Sequence, residues 1–160
     1  MIESKVLLTG FRGSSAEQLI NKSNGFDTLI LPNDKVKDSE KLINVIANEK
    51  YDYVFSFGQR PIIKNKVHIE TTARNGITSV ETDVDCEQLQ KLFESNGVVA
   101  KTSRNAGTSY CNSLYYNGLA YIKQKALKTK MVFIHIPFSK NIYDTDSFFT
   151  RIIDTISTIR

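Results

Sequence analysis

Short apolar runs alternate with stretches of helical period along this chain, and that alternation restricts its fold more than any other feature. Lys5 to Thr9, closed by Gly10, reads as a strand, and Ser14 or Ser15 offers an N-cap to a helix reaching about Asn24. Phe26 to Leu31, closed by Pro32, reads as a second strand. Asp38 then caps a helix in which Leu42, Ile43, Val45 and Ile46 lie on or near one face. Tyr51 to Phe57, ending at Gly58, is a third strand. Further on, Glu87 to Glu94 reads as helix, Val98 to Thr102 as strand, Ser109 to Leu127 as a long helix and Met131 to Pro137 as a buried strand. Asp146 or Ser147 caps a last helix running to the C-terminus. Between them, Gln59 to Asp85 has no clear period apart from an alternation around Val67 to Thr71, which predicts a loop-rich excursion with one short strand.

Strands and helices at this spacing require parallel pairs joined by crossovers, hence an α/β sandwich with helices on both faces of the sheet. The 160 residues, 41% hydrophobic, suit one domain spanning 1–160, with no linker or internal repeat. A chain of that length buries roughly 70% of its unfolded surface and needs no disulfide or metal staple. Function in such sheets gathers where strands end and helices begin.

The charge balance narrows the partners. Net charge is +4, from 21 basic and 17 acidic residues with no block of like charge. The richest basic stretch, Arg60, Lys64, Lys66 and Arg74, is followed at once by Glu81, Asp83, Asp85 and Glu87. That pattern reads as solvated faces, not a nucleic-acid track. Met131 to Phe138 is interrupted by His135 and far shorter than the roughly 20 residues of a membrane span. Val6-Leu7-Leu8 is too brief for a signal peptide, so the expectation is a cytoplasmic protein. The two cysteines, Cys86 and Cys111, lack Cys-x-x-Cys spacing, so neither a zinc site nor a disulfide framework is expected.

Three side chains at strand ends or helix starts could carry chemistry. Cys111 falls in the first turn of the helix after Val98 to Thr102. There, unpaired backbone N–H groups and the positive helix end favour a thiolate and could hold an oxyanion. It also shares a face with Leu114, Tyr115, Gly118, Leu119 and Ile122, so a packing role is the competing reading. His135 interrupts an apolar strand near its C-terminal end and must find a polar partner. Glu70, alone, reads as a surface residue near Lys66 and Arg74; it gains a role only if a histidine needs orienting. His68 lies in the less regular region, and Cys86, preceding a short helix and with no histidine near it in sequence, suits packing or surface. The turn Gly10-Phe-Arg-Gly-Ser-Ser15 lacks the spacing of a phosphate loop.

Taken in order, Val6-Leu-Leu-Thr-Gly-Phe11, Gly58-Gln59, Glu70-x-x-Ala73-x-Asn75, Ser103-x-x-Ala-Gly-Thr108-x-x-Cys111-Asn112 and Phe133-Ile-His-Ile-Pro137 resemble the type I pyroglutamyl peptidases, or pyrrolidone-carboxylate peptidases. The resemblance implies a three-layer α/β/α sandwich with a mainly parallel central sheet. It implies a cysteine peptidase that removes an N-terminal pyroglutamate from small peptides. Cys111 would be the nucleophile, His135 the base and Glu70 the residue orienting its ring, with Phe11, Gln59 and Asn112 binding substrate. No metal or organic cofactor is implied, and assembly into a homo-oligomer is.

The departures from that pattern fall on the substrate pocket. Phe11 is followed by Arg12-Gly13-Ser14-Ser15 where the family has a Pro-Phe-Gly-Gly stretch, so a second clasping aromatic has no counterpart. Ser109 stands where many members carry an aromatic, Arg60-Pro61-Ile62-Ile63 replaces the paired glycines and arginine after Gly-Gln, and the segment between the Glu and Cys motifs is shorter. Two alternatives therefore stand beside the peptidase reading: a non-catalytic binding domain, and a triad enzyme acting on another small amide or ester.

Overall fold

The computed structural model describes residues 3–160. The elements run β1 (Val6–Phe11), α1 (Ser15–Asn21), β2 (Asp27–Leu31), α2 (Lys35–Asn48), β3 (Tyr53–Arg60), β4 (Lys66–Glu70), β5 (Thr72–Asn75), β6 (Thr78–Glu81), α3 (Cys86–Ser95), β7 (Val99–Ser103), α4 (Tyr110–Gln124), β8 (Lys130–Pro137), a short 3-10 turn (Ser139–Asn141) and α5 (Thr145–Ile159). Six strands form one sheet in the order β2-β1-β3-β8-β4-β7, and β5 and β6 form a separate hairpin. All neighbours in the large sheet are parallel except β4 and β8, which run antiparallel.

The central strands β1, β3 and β8 are buried on both faces, which is why they read as near-continuous apolar runs. Val6, Leu8, Phe55, Phe57, Val132, Ile134 and Ile136 pack one way, against α1, α3 and α5. Leu7, Val54, Met131 and Phe133 pack the other way, against α2, α4 and the β5–β6 hairpin. The result is the three-layer α/β/α sandwich. Gly118 leaves room for Met131 of the sheet under helix α4: a Cβ there would sit 2.6 Å from Met131 Sδ. Among the described residues no helix is long and apolar enough to cross a membrane.

Some expectations need correcting. The Gln59–Asp85 excursion holds three strands, not one. Asn75↔Thr78 closes the hairpin around Gly76 and Ile77, with Gly76 at φ +61 in the first loop position, where a two-residue II′ turn takes glycine. Asp34, not Asp38, caps α2, its Oδ1 accepting the N–H groups of Val36 and Lys37 at 3.0 and 2.8 Å. Asp38 sits one turn inside and reaches back to the N–H groups of Asn33 and Asp34. Asp144 caps α5 through Ser147 N–H at 3.1 Å, leaving Asp146 in the first turn.

Candidate active site

Strand parity aims the candidate residues at one face. Side chains two apart on a strand share a face, and residues directly opposite on neighbouring strands do too. On β8 that puts His135 with Phe133 and Met131, facing α4. On β4, His68 pairs with His135 and Glu70 with Phe133, so His68 and Glu70 join them. On β3, Gly58 lies opposite His135 and Arg60 opposite Pro137.

Glu70, the weakest candidate from sequence, is fully buried, and His135 is 3% exposed. They meet at 2.8 Å, His135 Nδ1 to Glu70 Oε2. A carboxylate only accepts, so Nδ1 carries the proton and the Nε2 lone pair is left for other work. The Phe133 ring packs against the imidazole, centroids 5.0 Å apart. The Tyr115 hydroxyl donates to the Glu70 backbone carbonyl at 2.7 Å, fastening α4 to β4.

Cys111 is the second residue of α4, whose N-cap Ser109 makes no side-chain capping bond. Among the described residues the N–H groups of Tyr110, Cys111 and Asn112 have no acceptor in another residue, as at any helix start. The sulfur rests over Gly58, where a Cβ would come within 2.6 Å of Sγ; glycine at that position is what makes room for the thiol beside His135. Burial pushes the thiol up to about 12, with Arg60 and the local backbone N–H pulling the other way. The thiolate expected from the helix terminus is overridden, because that effect contributes under about 1 kcal/mol, less than one pH unit. Among the described residues Cys111 Sγ has no side-chain hydrogen-bond partner, and His135 Nδ1 bonds Glu70 instead. A thiol raised this far attacks only with a base to take its proton.

A cavity of about 210 Å³ opens at Cys111, lined by Phe11, Arg12, Gln59, Ser109 and Tyr110 among others. That is below the usual range for drug-sized ligands and suits a small acyl group. Phe11 closes one wall, its ring 6.5 Å from that of Phe133. Gln59 spends its carbonyl on Ser15 N–H at 3.0 Å and keeps its amide N–H groups for other partners. Asn112 does not line this cavity. One residue beyond Cys111 on a helix turns about 100° away, and both ends of its amide are spent on the Arg74 backbone, at 3.0 and 2.8 Å, tying α4 to β5.

The remaining sequence candidates separate from the site or border it. Cys86 packs on the opposite face of the sheet, its thiol pushed up to about 11 by burial. His68 borders the Glu70–His135 pair; burial lowers its pKa, and its Nε2 has no partner. Among the described residues no group of three or more His, Cys, Asp or Glu side chains is placed to hold a metal ion. Sequence reasoning missed two participants. Gly58 was legible as a glycine closing a buried strand, the mark of a close approach. Arg60, read as one charge of a basic stretch, points inward and meets Glu70 Oε2 at 3.3 Å.

Comparison with known proteins places this geometry. The family model described as pyroglutamyl peptidase matches residues 65–148. A pyrrolidone-carboxylate peptidase of Thermosipho melanesiensis is 27% identical over 86% of this chain and 84% of its own length. One from Thermoanaerobacter sp. is 30% identical over 62% of this chain and 59% of its own. Among solved structures, pyroglutamyl peptidase I of Bacillus amyloliquefaciens superposes with a TM-score of 0.87 at 20% identity, covering 99% of this chain and 96% of its own. A mutant pyrrolidone carboxyl peptidase of Pyrococcus furiosus gives 0.82 at 18%, covering 96% and 97%.

Proposed function

Because the chain belongs to the pyroglutamyl peptidase family, we propose that it is a cysteine peptidase that removes N-terminal pyroglutamate from small peptides. The observation that carries the assignment is the 2.8 Å contact between His135 Nδ1 and Glu70 on the same face where Cys111 rests over Gly58. Glu70 fixes the ring's tautomer and orientation, and His135 Nε2 takes the thiol proton as Cys111 Sγ attacks the pyroglutamyl carbonyl carbon. The free N–H groups at the start of α4 receive the oxyanion. The imidazolium then gives its proton to the departing amine as the C–N bond breaks, leaving a thioester. Water, deprotonated by His135, cleaves the thioester, releasing pyroglutamate and restoring the thiol. Phe11 and the Gln59 amide N–H groups are the substrate-binding residues of this reading, and Asn112 serves it by holding α4 in place. The reaction calls on no metal or organic cofactor. The same proposal has the enzyme act in the cytoplasm and assemble as a homo-oligomer, which cell fractionation and light scattering check.

Hydrolysis of a pyroglutamyl-fluorophore amide, lost in both Cys111→Ala and His135→Ala, is the test; robust turnover in either variant, or none in the parent protein, refutes the proposal. The buried thiol without a hydrogen bond to His135 favours a second reading, a binding domain that keeps these residues as packing. That reading requires a Cys111 that alkylates at the same rate whether or not His135 is replaced.

A further inference from the structure

We propose that Arg60 is a positioning residue of this site, acting on the imidazole through Glu70 and on the start of α4 through the backbone of Asn105. The inference rests on the assignment of Cys111, His135 and Glu70 as the reacting set. Arg60 stands two residues beyond Gly58 on the site face of β3, and its guanidinium forks. One arm, Nη1, donates to Glu70 Oε2 at 3.3 Å; the other, Nη2, donates to Asn105 O at 2.9 Å. Asn105 belongs to the loop leading into α4, which turns at Gly107 with φ +86. A Cβ at Gly107 would lie 3.5 Å from Nη2, an ordinary contact, so glycine there answers to its positive φ and the hydrogen bond to Asn105 O is what ties the loop to Arg60. In the pyroglutamyl peptidase pattern an arginine follows paired glycines after Gly-Gln, whereas here Arg60 follows Gln59 directly, and its place in this site is set by the two contacts above.

The charge has a specific use. Glu70 Oε2 accepts from both the imidazole and Arg60, and Glu70 is fully buried. With the imidazole as its only donor, a buried carboxylate draws a second proton onto the ring and takes the base out of service. A guanidinium sharing the same oxygen offsets that pull and leaves Nε2 free to accept the thiol proton. The other titratable groups within electrostatic reach are His68 and Lys66 from β4, Cys111 and Tyr115 from α4, Asp38 from α2 and Cys86 from α3. Among the described residues none of these is an ion-pair partner of Glu70, which Arg60 and His135 alone contact in that way.

The experiment is a double-mutant cycle of Arg60→Gln and Glu70→Gln on pyroglutamyl-fluorophore hydrolysis. Arg60→Gln alone should lower kcat roughly tenfold or more with KM within about twofold, and move the acid limb of kcat/KM upward by about one pH unit. In the Glu70→Gln background it should add less than about twofold, because its route through Glu70 is already cut. Multiplicative effects, an unmoved acid limb, or a change confined to KM overturns the proposal. Arg60→Lys keeps the charge and should hold the acid limb near that of the parent protein. If Arg60→Gln does not fold, this variant decides: a limb displaced by a full unit overturns the proposal. A parent protein without turnover counts against the peptidase assignment alone. The cycle is then read on the rate of iodoacetamide labelling of Cys111, where additive effects overturn the role of Arg60.

Discussion

Adding one methyl group at Gly58 tests the packing of the reacting set directly. The backbone there is not in the left-handed region, so alanine brings no conformational strain and any effect comes from contact. Its Cβ would lie 2.6 Å from Cys111 Sγ and 2.8 Å from Phe133 Cζ. Phe133 is wedged among Phe11, Tyr115 and His135 and has no room to retreat. The sulfur must therefore move by close to 1 Å, to reach an ordinary contact of about 3.4 Å or more. Overpacking of this kind costs about 1–3 kcal/mol, which in a chain of this size lowers Tm by roughly 3–10 °C. A displacement of about 1 Å at a nucleophile costs on the order of a hundredfold in rate. Gly58→Ala should thus fold, melt a few degrees lower and lose about 10- to 100-fold in kcat/KM on a pyroglutamyl-fluorophore amide. Gly76→Ala is the control. It carries backbone strain at φ +61 but meets nothing within 4 Å and lies outside the cavity that opens at Cys111, so it should lose stability with little loss of activity. A Gly58→Ala enzyme with full kcat/KM would refute the placement of the sulfur over β3 and the reasoning built on it.

Three further outcomes are expected. Cys111→Ala should abolish turnover while circular dichroism and Tm stay near those of the parent protein; measurable burst-phase acylation in that variant would contradict the role of the thiol. Tyr115→Phe removes the hydroxyl that donates to the Glu70 carbonyl at 2.7 Å. It should cost about 1–2 kcal/mol in urea unfolding and lower kcat by a few-fold, with KM unchanged. The thiols of Cys86 and Cys111 are raised by burial to about 11 and about 12 from an ordinary 9.0. The folded state therefore holds protons that the unfolded chain releases first, and their stabilising contribution, full below pH 9, is lost as pH rises through 11 to 12. Urea midpoints should fall across that window, less steeply in the Cys86→Ala, Cys111→Ala double variant; identical slopes would contradict the burial of the thiols.

The layered fold was legible because its signals are local. Each of the five apolar runs falls on a strand, and the helix carrying Cys111 starts within a residue of its expected position. What escaped was set by partners distant in the chain. Glu70 looks like a surface carboxylate among Lys66 and Arg74 until β4 pairs with β8 and buries it. The β5–β6 hairpin escaped because its strands have four residues each, one face of them exposed, too short for a period to emerge. Asp38 was mistaken for a cap because it does bind N–H groups at the start of α2, only from inside the first turn. Asn112 shares a motif with Cys111, but helical geometry sends its side chain to β5. The depth of the thiol was hidden as well, since sequence locates the helix start and not the layers stacked over it.

The lone antiparallel pairing in the sheet, β4 against β8, determines when during folding this molecule becomes competent. Glu70 and His135 are 65 residues apart in the chain. Their strands share only three opposed pairs, and a slip of one residue would turn Glu70 and His68 to the far face of the sheet. Local helices and the parallel β1–β3 neighbourhood can form while that register is still open, because closing a long loop delays non-local contacts. The Glu70–His135 contact therefore forms with this register or not at all. A chain can hold nearly all its helix and most of its sheet and still have a histidine without its carboxylate.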